Sequence, residues 1–168
     1  MFRDMTIHDF DLACFILQND PIVEIFATGD RLFSEDAKEA NDIDTAMIIM
    51  KSKSGVLCHI NNSRHSSYGY DQRVELFGNK GMIISDNQTP TSVTRYNDES
   101  TNSKDPILNF FIERYDVAYK NQLENFINCI IDGKPPTVNF EDGRIALIIA
   151  NAAYESLENK KSVKIDYR

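Results

Sequence analysis

Asp4 and His8, four positions apart in Asp4-Met5-Thr6-Ile7-His8, head a stretch with helical spacing. On a helix that separation sets a carboxylate beside an imidazole. The pair suits general acid/base work on a hydroxyl: the carboxylate selects the imidazole tautomer and stabilises the imidazolium formed when the proton is taken. The same two residues also suit a surface pair or an N-terminal capping arrangement. Asp9 and Asp11 beside His8 raise the question of a metal, but one histidine with scattered carboxylates and no second ligand cluster does not make a metal site, and none is expected.

A second constellation is Asn61-Asn62-Ser63-Arg64-His65-Ser66-Ser67-Tyr68-Gly69-Tyr70-Asp71-Gln72-Arg73. A polyol presents several hydroxyls, each needing a donor or acceptor at a fixed position, and Asn, Tyr and Asp supply them. The plainer reading is a polar strand connection, with Arg64 and Arg73 in structural ion pairs and His65 exposed. Gly78-Asn79-Lys80-Gly81 has neither GxGxxG nor GxxxxGKS/T spacing, so no phosphate-cradling fingerprint is present.

The elements that must position these groups follow from periodicity. Ile7, Phe10, Ala13, Cys14 and Leu17 recur at helical spacing, with Thr6 as N-cap, predicting a helix over 6–17. Asn19-Asp20-Pro21 ends it, and the β-branched and aromatic run 22–28 predicts a strand. Residues 34–42 read as a solvated loop. Runs 45–51 and 56–63 around Lys53-Ser54-Gly55 predict a hairpin, as do 72–77 and 82–85 around the glycine turn, with a short fifth strand at 92–96. The polar stretch 97–105 is expected to be exposed and mobile. A short helix from Pro106, a longer one over 117–131 and a third over 141–158 complete the helical patterns, the last two separated by Gly133-Lys134-Pro135-Pro136. Residues 163–165 read as a final edge strand. Strands grouped between helices, without βαβ alternation, predict an α+β domain: a mainly antiparallel open sheet with helices packed on one face. No internal repeat is visible.

The 168 residues, 42% hydrophobic and 26% charged, leave room for one core in a single domain, 1–168. With 18 Lys and Arg against 26 Asp and Glu, a net charge of -8 gives no footprint for nucleic acid or an anionic membrane surface. No apolar run approaches the ~20 residues of a membrane helix. No secretory signal is evident, so a cytoplasmic setting is expected. Cys14, Cys58 and Cys129 are odd in number and scattered among apolar neighbours, which fits buried reduced thiols.

Several blocks taken together, Phe2-Arg3-Asp4-Met5-Thr6-Ile7-His8-Asp9-Phe10-Asp11, Asn62-Ser63-Arg64, Tyr68-Gly69-Tyr70-Asp71-Gln72-Arg73-Val74-Glu75-Leu76-Phe77-Gly78, Gly133-Lys134-Pro135-Pro136 and Glu141-Asp142-Gly143-Arg144, resemble the C-terminal domain of the glucose-fructose oxidoreductase, inositol dehydrogenase and MocA family. The tyrosine block is most similar to the inositol 2-dehydrogenase branch. The resemblance implies that His8 is the acid/base at the oxidised hydroxyl, with Asp4 its partner. Thr6 or Met5, and Tyr68 or Tyr70, would line the polyol site. It further implies a Rossmann domain, in cis or trans, that holds NAD or NADP, and a homo-oligomer formed through the open sheet. That nucleotide half, a lysine in a Glu-Lys-Pro segment and the domain's opening strand have no counterpart in these residues, so the chain alone is not expected to turn over. A non-catalytic binding or oligomerisation module that keeps the fold is the competing expectation.

Overall fold

The helical spacing near the N-terminus is realised as a π-helical turn, Phe2–Thr6, running directly into α1, Ile7–Leu17. Thr6 is therefore not an N-cap: its backbone is helical and its side chain makes no capping bond. The turn before it stays helical because Phe2 is buried in the same core as Phe10. All 168 residues are described by this computed structural model. Strand β1, Ile22–Asp30, begins just after Pro21, and a register shift between Ile22 and Glu24 lets both Ile22 and Ile25 face the core.

The segment read as a plain loop contains a short helix, α2, Glu35–Glu39. The Ser34 hydroxyl accepts from the Ala37 amide at 3.2 Å, and burial of Ala37 holds the turn in place. Lack of periodicity hid it, since five residues are too few to show one. Beyond it, fully buried Asp44 accepts from the amides of Leu32 (3.0 Å), Phe33 (3.0 Å) and Ser34 (2.9 Å) and from the Thr45 hydroxyl (2.9 Å). Burial opposes its charge, but those donors outweigh burial and hold the carboxyl well below the usual carboxylate range.

Strands β2, Thr45–Ser52, and β3, Leu57–Ser63, form the expected hairpin. Along β2, Ala46, Ile48 and Met50 are buried while Met47 and Ile49 point outward. Much further along the chain, α4, Phe140–Asn159, is closed at its start by a capping box of Asn139 and Asp142. Its buried residues Ala146, Ile149, Ala150 and Ala153 recur at i, i+3, i+4 and i+7 and pack with α1 and β1. Val163–Lys164, the last strand, pairs antiparallel with β1, giving the sheet order β3-β2-β1 and then this strand. The result is the expected α+β arrangement of an open antiparallel sheet with helices against one face.

The chain separates into two compact units, residues 1–65 with 137–168, and residues 66–136. The buried core lies wholly in the first. The second holds the hairpin of β4, Val74–Gly78, and β5, Gly81–Ser85, whose turn uses the positive φ of Gly81 (147°). It also holds a small ladder of β6, Thr94–Arg95, with β7, Ser103–Lys104. The polar stretch at 97–105 is thus not unpaired. Asn97 closes its turn by donating to the Ser100 carbonyl at 3.0 Å while its own side chain accepts from the Glu99 and Ser100 amides. Helix α3 is one element, Phe111–Asp132, rather than two, because nothing between Phe111 and Val117 breaks it and Lys120 pairs with Asp116 one turn back at 2.7 Å. Gly133 ends it in the left-handed conformation, as its position promised. The last strand of the chain, Val163–Lys164, is β8.

Candidate functional site

In the first unit, His8 is the second residue of α1 and its side chain is solvent-exposed. Asp4 lies one turn earlier, on the π-helical turn. Its carboxylate is not hydrogen-bonded to His8: Oδ2 accepts from Arg64 Nη1 at 2.9 Å. Arg64 Nη2 reaches Asp42 Oδ2 at 3.0 Å, and the Arg64 amide donates to the Asp44 carbonyl at 2.8 Å. Burial works against the guanidinium, but its bonds to Asp4 and Asp42 prevail and push its pKa above the ordinary arginine value.

Thr6, expected to line a polyol site, is fully buried. Its hydroxyl donates to Asn62 Oδ1 at 2.7 Å, and Asn62 Nδ2 donates to Asp9 Oδ2 at 3.0 Å. Thr6 thus ties the helical turn to the end of β3. Met5 is half-buried and packs against the core. Around the imidazole, burial raises the Asp9 carboxyl above the usual range, opposed by the Asn62 hydrogen bond and the charge of His8. Asp11 is raised too, first by burial and then by Asp142, with His8 again opposing. No group of three or more His, Cys, Asp or Glu side chains converges to hold a metal ion.

The cysteines are free and half-buried rather than fully buried. Burial, reinforced by the charges of Asp11, Cys58 and Asp142, pushes the Cys14 thiol up to about 11, leaving it a poor nucleophile at neutral pH.

Tyr68 and Tyr70 belong to the second unit. Gly69 between them has φ 127°, and a side chain there would meet Ile107 Cγ1 at 2.4 Å and the Ile107 and Leu108 carbonyls at 3.1 Å. Only glycine lets this segment lie so close, and the Tyr70 amide uses the approach to donate to the Leu108 carbonyl at 2.8 Å. Asp71 gathers the polar side chains around it. It takes both Arg73 nitrogens at 2.8 Å, Asn87 Nδ2 at 2.6 Å and the Tyr68 hydroxyl at 2.5 Å. The Arg73 fork, against the opposing effect of burial, holds the Asp71 carboxyl far below the usual range, with Tyr68 and Asn87 adding to it. The Tyr70 ring meets Tyr115 edge-on at 5.9 Å, and its hydroxyl makes no hydrogen bond within the protein. A polar cleft of about 460 Å³ in this unit is lined by Tyr68, Asp71, Arg73, Asp86, Asn87, Thr89, Lys104, Asp105 and Ile107.

The expected ion pairing of Arg64 is realised with Asp4 and Asp42, but that Arg64 and Asn62 would address the first helical turns was not foreseen. Both stood within the polar run, but only their period-two spacing at the end of a strand hinted that they address the same neighbour.

Residues 1–165 match an oxidoreductase family, C-terminal alpha/beta domain, of the glucose-fructose oxidoreductase, inositol dehydrogenase and MocA group. The chain belongs to this family. Among similar proteins, a myo-inositol 2-dehydrogenase of Thermotoga maritima is 46% identical over 166 residues, covering 99% of this chain and 49% of the relative. A solved myo-inositol dehydrogenase from Corynebacterium glutamicum superposes with a TM-score of 0.93 at 51% identity, over 98% of this chain and 49% of that one. The scyllo-inositol dehydrogenase of Lactobacillus casei, solved with NAD(H) and scyllo-inositol bound, gives 0.87 at 25% identity, over 98% of this chain and 48% of that one. The chain thus spans about half the length of the relatives it matches. No helix is long and apolar enough to cross a membrane.

These residues do not themselves fit a dinucleotide. Every strand pairing is antiparallel, and the Gly78–Gly81 turn leads from strand to strand rather than into a helix whose N-terminus could take a pyrophosphate.

Proposed function

We propose that this chain is the substrate-binding and acid/base half of an NAD-dependent inositol dehydrogenase that oxidises a ring hydroxyl to a ketone. The carrying observation is the match along nearly all of this chain to about half of an inositol dehydrogenase, at 51% identity, with Asp4 and His8 one helical turn apart at its start. NAD(H), bound by residues outside these 168, would supply the hydride acceptor. His8 holds the proton of the reacting hydroxyl, taking it in oxidation and returning it in reduction, and its exposure leaves the ring open to a substrate. Asp4, on the preceding turn, orients and stabilises the imidazolium. Of the two tyrosines, Tyr70 is the better polyol ligand, since its hydroxyl is unspent while that of Tyr68 is committed to Asp71.

The test joins this chain to the half of the Thermotoga maritima relative that it does not match. The joined protein should reduce NAD with an inositol, and this chain alone should not. His8→Ala should slow the joined protein by about 100-fold or more, the usual contribution of a positioned acid/base. Near-parental turnover by His8→Ala would remove His8 from the chemistry.

A second reading, a module that associates without catalysing, draws on the outer face of the four-stranded sheet. Met47, Ile49 and Leu57 stand exposed there at 58%, 56% and 72%. The two readings are compatible if copies of the enzyme assemble through that face.

A further inference from the structure

We propose that Arg64 is a positioning residue for proton transfer: it clamps one oxygen of Asp4 and leaves the other for His8. The inference rests on the acid/base reading above.

The Asp4 side chain is 72% exposed, and its bond from Arg64 is the one contact that fixes it. Without that bond an exposed carboxylate on a helix samples several rotamers, only some of which face the next turn. Arg64 takes Oδ2 alone, and Oδ1 has no hydrogen-bond partner in the protein. Asp4 and His8 lie four positions apart on a continuous helical backbone, so Oδ1 is the oxygen of Asp4 left for the imidazole.

Arg64 is itself immobilised at three points. Its amide is held by the Asp44 carbonyl and its second nitrogen by Asp42, leaving the first for Asp4. The guanidinium fork is what allows one side chain to hold two carboxylates at 2.9 and 3.0 Å at once. Asn62, two residues earlier on the same edge, grips Thr6 and Asp9. The strand end thus holds the helix on both sides of His8. Of the other cations nearby, the Met1 ammonium is spent on Asp42 and Arg3 is turned away, donating to Asn151 at 2.8 Å and lying over the Tyr154 ring. Asp4 therefore depends on Arg64 for its orientation.

The test uses the joined enzyme described above, with myo-inositol as substrate. Arg64→Met should lower kcat by about 10- to 100-fold, the scale of a misplaced catalytic group, with KM changed less than about twofold. Arg64→Lys, which keeps the charge without the fork, should recover part of that loss. If Arg64 acts through Asp4, adding Arg64→Met to Asp4→Asn should cost nothing further. A second readout needs no turnover: in this chain alone, the ¹⁵N signals of the His8 ring should report the same altered tautomer balance in Arg64→Met as in Asp4→Asn. An Arg64→Met enzyme with parental kcat, or one that slows Asp4→Asn further by its full factor, overturns the assignment. His8→Gln distinguishes the two failures. If it leaves turnover intact, the acid/base reading itself falls; if it abolishes turnover while Arg64→Met does not reduce it, Arg64 alone is wrongly assigned.

Discussion

Ser156 offers the sharpest measure of how the first unit is held together. It is fully buried on α4, where its hydroxyl accepts from the Ala27 amide of β1 at 2.9 Å and donates to the Lys161 carbonyl at 2.6 Å. Ser156→Ala removes both bonds with almost no change in volume, so no cavity contribution confuses the result. The Ala27 amide is buried and would be left without a partner, at about 1–3 kcal/mol, whereas the Lys161 carbonyl, in the exposed turn after the helix, regains water and loses about 0.5–1.5 kcal/mol. The sum is about 1.5–4.5 kcal/mol. For a chain of this length each kcal/mol moves Tm by about 2–4 °C, so the variant should melt roughly 3–18 °C below the parent. Urea unfolding followed by far-ultraviolet circular dichroism should show a lower midpoint at unchanged slope. A loss of stability of less than about 0.5 kcal/mol, the range of ordinary surface changes, would refute the claim that this hydroxyl ties helix to sheet.

Two further outcomes concern a buried carboxylate and an exposed sheet face. The Asp44 carboxyl is depressed in the folded protein, so its contribution is complete above the ordinary carboxylate range and is lost as pH falls below about 4 toward the folded value. Asp44→Asn should therefore be less stable at pH 7 yet lose less on acidification than the parent, and equal losses in urea midpoint between about pH 7 and about pH 3 would show that Asp44 is not responsible. On the outer sheet face, Ile49 sits opposite Phe26 and His59 in register, and a Met47→Lys, Ile49→Lys double variant should shift the chain to a smaller species in sedimentation while its circular dichroism is retained. An unchanged sedimentation coefficient would remove that face from assembly.

Whatever depends on near neighbours could be read from the residues alone. The β2–β3 hairpin announced itself through alternation and a glycine turn, α4 through i, i+3, i+4 spacing, and the Gly133 stop through its place after an apolar run. Two details share a cause: 34–42 and 97–105 are polar and aperiodic, and 97–105 is largely exposed as expected, yet each holds a short element or turn made by side chains gripping backbone amides, Ser34 and Asp44 in one and Asn97 in the other. Such bonds leave no period to detect. The site was half legible for a related reason. The spacing of Asp4 and His8 is local and visible, but the partner that actually takes the Asp4 carboxylate is sixty residues away, and nothing short of the folded sheet brings Arg64 to it. Thr6 misled because a threonine before an apolar run is a good cap, whereas burial of Phe2 extended the helix past it.

The placement of His8 shows why polar and apolar contacts divide the work here. Phe2 and Phe10 are fully buried on either side of it, and burying each is worth about 1.5–3 kcal/mol, enough to fix where the helix lies against the sheet. Such packing is not directional, and it tolerates small rotations of the helix about its own axis. The bonds from Asn62 and Arg64 are individually weaker, about 0.5–1.5 kcal/mol for a typical one, but they bind three named residues at hydrogen-bond distance and so resist that rotation. Losing either polar contact should therefore leave the chain folded while loosening the aim of the one group that must meet a hydroxyl. Changes at Phe2 or Phe10 should do the reverse, unfolding the unit before any kinetic effect of orientation can be measured.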